Sequence, residues 1–141
     1  MQSPFMLSHT VEYALRATLY IAQRSPEPVR LPEIATEIRA PSRYLAKILG
    51  QLARAGVLDS TRGPAGGFQV AAGHEDASLS SIIAVFERPT RRRCLLGHGV
   101  CGYTPSCAVH EKWAPIAQST ADFFARTTIG ELVASVHTSS R

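Results

Sequence analysis

The chain has 141 residues, 45% of them hydrophobic, with 15 basic against 11 acidic side chains and a net charge of +4. That length and apolar fraction suffice for one good buried core and do not suggest a disordered chain. A run of about 18 apolar residues, which a membrane span needs, is absent, so no membrane partner is expected. Residues 5–22 come nearest, but Glu12 and Arg16 interrupt them, and they lack the basic start and cleavage site of a signal peptide. The expected compartment is the cytoplasm. Three cysteines, an odd number, suit reduced thiols or metal ligands better than a secreted disulfide frame.

Residues 7–22 set Val11, Ala14, Leu15, Thr18, Leu19 and Ala22 on one face at helical spacing, and two prolines in 25–29 end that helix. A short second helix is predicted from Leu31 to Ile38, with Pro32 tolerated in its first turn and Ile34, Ala35 and Ile38 facing inward. Residues 40–42 form a turn. A third helix follows, its inner face built by Leu45, Ile48, Leu49, Leu52 and Ala53, and Gly56 marks its left-handed end. Two helices joined by a tight turn, the second with a basic outer face, make a helix-turn-helix.

The outer face of the third helix carries Arg43, Lys47, Gln51 and Arg54 along one ridge, a shape that fits a major groove. Arginine and lysine suit guanine edges, and glutamine suits adenine. Residues 39–68 hold Arg39, Arg43, Lys47, Arg54 and Arg62 against Asp59 alone, a local excess equal to that of the whole chain. An ordinary solvated helix face is the bland alternative. Short β-prone runs at 57–61 and 68–70 flank Arg62, Gly63, Gly66 and Gly67, and the glycines permit the positive φ angles of a hairpin loop. Arg62 at its shoulder would reach a phosphate or a narrow minor groove. A nucleotide-binding P-loop fails, because Phe68-Gln69-Val70 supplies neither its lysine nor its helix. The candidate DNA-contacting set is Ser42, Arg43, Tyr44, Lys47, Gln51, Arg54, Arg62, Gly66 and Gly67.

A fourth helix starts at the capping residue Ser78 and runs to about Glu87. A long helix is predicted from about Cys107 to Arg126, with Val109, Trp113, Ile116, Ala117, Thr120 and Phe124 along one face. Lying outside the winged core, it most simply pairs with its symmetry mate in a homodimer. The alternative is a helix folded back on its own domain. Thr128 and Glu131 form a capping box that opens a last short helix through Val136. The fold class is therefore mainly α with a small β-wing: a winged helix-turn-helix domain (1–76), a cysteine loop (94–107) with dimerisation helices (77–136), and a frayed tail (137–141).

All three cysteines, Cys94, Cys101 and Cys107, fall within 94–107, among Gly97, Gly99 and Gly102, and His110 follows three residues later. Thiols gathered in a glycine-rich loop can converge as soft ligands on one metal centre. Intervals of six and five residues between the cysteines are long for zinc, though Cys107 and His110 have a zinc-like spacing. Metal-free thiol oxidation is a further alternative. The basic run Arg91-Arg92-Arg93 stands ready to stabilise thiolates, touch phosphate or lie in solvent. A cysteine–histidine enzyme would need an orienting third group and a substrate pocket, and neither is evident. No enzymatic activity is expected.

These residues together resemble the IscR/NsrR-type winged-helix regulators of bacteria. The resemblance runs from about Leu7 to Val133 and rests on Tyr13-Ala-Leu-Arg-Ala, Tyr44-Leu-Ala-Lys-Ile-Leu and Arg62-Gly-Pro-Ala-Gly-Gly-Phe. It also rests on the three-cysteine loop, His110-Glu-Lys-Trp113 and the segment 127–133. It implies a dimeric DNA-binding protein with Cys94, Cys101 and Cys107 as thiolate ligands of an iron–sulfur cluster. The resemblance offers His110 first as fourth ligand, then Glu12 from the partner subunit; His98 is a third possibility from its place inside the loop. We place a 2Fe–2S cluster ahead of 4Fe–4S, although the cysteine spacing does not choose between them. The expected function is a cytoplasmic regulator, repressor ahead of activator, that binds a palindromic double-stranded operator and senses redox, nitric oxide or iron–sulfur status. A regulator sensing by thiol oxidation or zinc is the alternative, and a cluster-carrying electron-transfer or assembly protein is the alternative of a different class.

Overall fold

A computed structural model describes residues 7–87 and 108–139. The three cysteines, His98 and Arg91–Arg93 lie outside the described residues. Among the described residues, six helices and a two-stranded antiparallel sheet follow one another as α1 (His9–Gln23), α2 (Leu31–Ile38), α3 (Ser42–Arg54), β1 (Leu58–Thr61), β2 (Gly67–Val70), α4 (Leu79–Ile83), α5 (His110–Arg126) and α6 (Ile129–Ser139). Among the described residues, no helix is long and apolar enough to cross a membrane.

Local chemistry explains most boundaries. Ser8 caps α1, its Oγ accepting the Val11 N–H at 3.3 Å. α2 ends in a left-handed residue, Arg39 at φ 55°, so that the Ala40 N–H reaches back to the Ala35 carbonyl at 3.0 Å. α3 ends in the same way at Gly56, φ 82°. The Val57 N–H donates to the Leu52 carbonyl at 3.0 Å, and the two buried side chains seal the turn. Ser78 caps α4, accepting the Ser81 N–H at 3.2 Å. At α6 the capping box is reciprocal: Thr128 Oγ1 accepts the Glu131 N–H at 3.2 Å, and Glu131 Oε2 accepts the Thr128 N–H at 3.3 Å.

Several boundaries differ from expectation. α1 starts at His9 and runs to Gln23, because Ser8 takes the cap. α4 stops at Ile83 and gives way to turns, short of Glu87. α5 starts at His110 rather than Cys107. α6 continues to Ser139, three residues past Val136 and into the expected tail, since nothing between Val136 and Ser139 breaks a helix.

α1 is the hub. It packs against α2, α3 and β2, and also against α4 and α6. Its buried set is accordingly Val11, Ala14, Ala17, Thr18, Tyr20 and Ile21, while Leu15, Leu19 and Ala22, expected on the inner face, are only half-buried. A helix covered on more than one side buries more than one stripe, which a single-face pattern misses. Tyr20 ties α1 to α2: its hydroxyl donates to Glu33 Oε1 at 2.8 Å and accepts from Arg24 at 2.7 Å. Burial, then the Glu33 carboxylate, pushes its phenol above the ordinary tyrosine range.

The core is continuous across the sequence. Leu79, Ile82 and Ile129 join the same buried cluster as Ile34, Leu45 and Leu49. Residues 77–79 are also stitched to 127–129, the Leu79 N–H donating to the Thr127 carbonyl and the Ile129 N–H to the Ala77 carbonyl, both at 2.9 Å. α5 is covered far less. Only Ala117 is buried, and Ile116 and Phe123 are 55% and 53% exposed.

Candidate functional site

α3 is held by its apolar face. Leu45, Ile48, Leu49 and Leu52 are all at most 1% exposed, so the opposite face has to point outward. Ser42, Arg43, Lys47, Gln51 and Arg54 lie exposed along it. Among these residues the charges are all positive, and the structure brings them onto one ridge as the spacing implied. Tyr44 is also exposed, but it turns sideways. Its hydroxyl hydrogen-bonds Thr10 Oγ1, and its ring stands edge-on to Tyr13 with centroids 5.8 Å apart. Tyr44 therefore links the start of α3 to α1.

The wing follows directly. β1 and β2 pair with Leu58 opposite Val70 and Thr61 opposite Gly67, leaving Arg62–Gly66 as the loop. Arg62, Gly63, Pro64 and Ala65 are exposed at its tip. Gly63 (φ 100°) and Gly67 (φ 147°) occupy the positive-φ conformations expected of the wing glycines. Gly66 is different: its φ is not positive, and it is glycine for want of space. A Cβ there would sit 2.1 Å from the Thr61 carbonyl oxygen. Gly66→Ala is therefore expected to force the hairpin open and lower stability by about 1–3 kcal/mol. Denaturant unfolding checks this; an unchanged midpoint would show that the turn has room.

A third segment braces the wing. Val29 pairs with Phe68 through two backbone hydrogen bonds of 2.8 and 2.7 Å. Beside it, Arg30 Nη2 donates to the carbonyls of Gly63 at 3.1 Å and Pro64 at 2.6 Å. Sequence reading missed Arg30. Its partners lie 33 and 34 residues away, and no local pattern points to them.

Of the expected metal ligands, two are described. His110 is the first residue of α5 and is half-buried. Glu12 lies in the first turn of α1, half-exposed, with its carboxylate 3.7 Å from His9 Nδ1. Among the described residues, no three His, Cys, Asp or Glu side chains gather into a metal site. His110 or Glu12 would thus each contribute one donor to the thiols of Cys94, Cys101 and Cys107. That donor set, three soft thiolates and one imidazole or carboxylate, fits an iron–sulfur centre chemically. α5 packs on α4, α4 on α1, and α1 on α3. The residue that opens α5 is therefore connected through packed helices to the basic ridge.

Comparison with known proteins gives a consistent result. Residues 7–135 match the Rrf2 family model, described as an iron-dependent transcriptional regulator. A provisionally named HTH-type transcriptional regulator of Aquifex aeolicus is 35% identical over 91% of each chain. The HTH-type transcriptional regulator IscR of Vibrio campbellii is 30% identical over 86% of this chain and 73% of its own. Among solved structures, CymR, the global cysteine regulator of B. subtilis, superposes with a TM-score of 0.76 at 25% identity, covering 93% of this chain and 98% of its own. Each of these relatives is named as a regulator and none as an enzyme.

Proposed function

Since the chain belongs to the Rrf2 family of transcriptional regulators, we propose that it acts as a cytoplasmic homodimeric repressor whose α3 and wing read a palindromic operator. The observation that carries this reading is the exposed ridge of Arg43, Lys47, Gln51 and Arg54 standing beside a wing that presents Arg62. Guanidinium and ammonium groups attract phosphate and bond guanine edges, and the wing arginine suits the adjacent minor groove. Ser42 and Tyr44 at the start of α3 would add phosphate contacts that position the helix, and Gly66 and Gly67 would let the wing backbone come close to the duplex. Ile116 and Phe123 on α5 supply an apolar face for a second copy. Two α3 helices would then engage half-sites about 34 Å apart.

We place sensing on Cys94, Cys101 and Cys107, with His110 ahead of Glu12 as fourth ligand of an iron–sulfur cluster, 2Fe–2S ahead of 4Fe–4S. Bound there, the cluster would supply a centre reactive toward oxidants and small diatomic molecules. His110 opens α5, so any change in its orientation bears on α4 and α1, and through them on the spacing of the two α3 helices. A switch of practical size needs a differential affinity of a few kcal/mol between two such arrangements.

Lys47→Ala and Arg62→Ala are each expected to weaken operator affinity by about 1–3 kcal/mol with fold and dimer intact. A phosphate contact would also lower the salt slope by about 1. Unchanged binding in both variants would remove the helix-and-wing assignment. For the sensor, anaerobic purification with iron and sulfide analysis and a visible spectrum is the test. A coloured, iron- and sulfide-bearing protein is expected, and a colourless, zinc-loaded product would overturn the iron reading. A second reading, sensing by thiol oxidation without iron, draws support from likeness to an oxidised form of Staphylococcus aureus CymR (25% identical, TM-score 0.71). Iron-free protein whose DNA binding responds to oxidant would favour it.

A further inference from the structure

Arg30 stands at the N-cap of α2, yet its side chain makes no capping bond there. Its Nη2 instead crosses to the tip of the wing and donates to two successive carbonyls, Gly63 and Pro64. The same Gly63 carbonyl accepts the Gly66 N–H at 2.9 Å, so Arg30 grips the turn that shapes the tip. One residue earlier, Val29 pairs with Phe68, and the backbone at Gly67 approaches so closely that a Cβ would lie 2.6 Å from the Val29 oxygen. The segment 29–30 therefore holds the wing at two points, the loop-proximal start of β2 by backbone and the tip by guanidinium.

We infer that Arg30 is a positioning residue for DNA recognition, one that fixes the wing against the start of α2 so that Arg62 is presented at a set angle beside α3. This rests on the reading that α3 and the wing bind DNA. A two-stranded hairpin with a five-residue loop has little rigidity of its own. A charged donor shared between two tip carbonyls is a strong restraint on it. In this role Arg30 acts through the wing and not as an independent phosphate contact. Its effect should vanish once Arg62 is gone.

The test is a double-mutant cycle on operator affinity with the full chain, using Arg30→Ala, Arg62→Ala and the pair, with Arg30→Lys as conservative rescue. Arg30→Ala should weaken binding about tenfold. The pair should bind no more weakly than Arg62→Ala alone, and Arg30→Lys should recover part of the loss. In the free protein, Arg30→Ala should also speed hydrogen exchange of the Gly66 amide while amides of α1 stay protected. Additive losses would make Arg30 a DNA contact in its own right and overturn the inference. So would full affinity in Arg30→Ala alongside weak binding in Arg62→Ala, a failure that leaves the helix-and-wing reading standing. If Arg62→Ala itself binds normally, the wing reading falls and the inference falls with it.

Discussion

Purified without air, the Cys94→Ala, Cys101→Ala and Cys107→Ala proteins are each expected to carry little or no iron and sulfide, while the parent is expected to carry both on the cluster reading proposed above. Ligand number decides the outcome. Four protein ligands hold a cluster in the common case, and loss of one thiolate leaves iron open to solvent and hydrolysis. His110→Ala should be milder, giving a labile or spectrally shifted centre, because water or another side chain can replace an imidazole. Should Glu12→Ala disturb the spectrum more than His110→Ala, the fourth ligand comes from α1, and the order proposed above is reversed. Five substitutions with no change in metal content would show that the cysteine window is not a metal site.

Ile129→Ala is expected to lower stability by about 2–5 kcal/mol, the range for deleting a fully buried isoleucine side chain. Ile129 is 1% exposed and lies in the same buried cluster as Ile34 of α2 and Leu45 of α3. Although it stands far along the chain, its loss should weaken the whole DNA-reading unit in one cooperative transition. Denaturant unfolding followed by two probes, far-ultraviolet circular dichroism and Trp113 fluorescence, checks this. A change below about 1 kcal/mol would show that α6 does not contribute to the common core.

The sequence carried the helix ends that local chemistry decides. α2 runs from Leu31 to Ile38 as expected, since Pro32 suits a first turn and the inward pattern is short and unambiguous. Gly56, Ser78 and the Thr128–Glu131 box mark their boundaries for the same reason: each satisfies backbone groups within a few residues. Relations set by tertiary packing were not legible. Ala17 and Ile21 are buried outside the predicted stripe on a helix that packs against α4 and α6 as well as α2 and α3. The clasp of Arg30 on the wing and the bond between Tyr44 and Thr10 join residues more than 30 positions apart. At Gly66 the sequence suggests conformational freedom, whereas crowding by the Thr61 carbonyl is what requires a glycine there. The exposure of the basic face of α3 was legible, because helical period alone aligns Arg43, Lys47 and Gln51 opposite the buried Leu45, Ile48 and Leu52.

The claim that this chain reads DNA with α3 and the wing is tested most directly by selection from a pool of random duplexes, using the full chain and then its Lys47→Ala and Arg62→Ala forms. Enrichment of a two-fold symmetric sequence with half-sites one helical turn apart, about 10 base pairs, is expected from the parent. Loss of enrichment, or relaxed preference at particular positions, is expected in each variant. Failure to enrich any sequence, or the same sequence enriched equally by all three proteins, would contradict that claim.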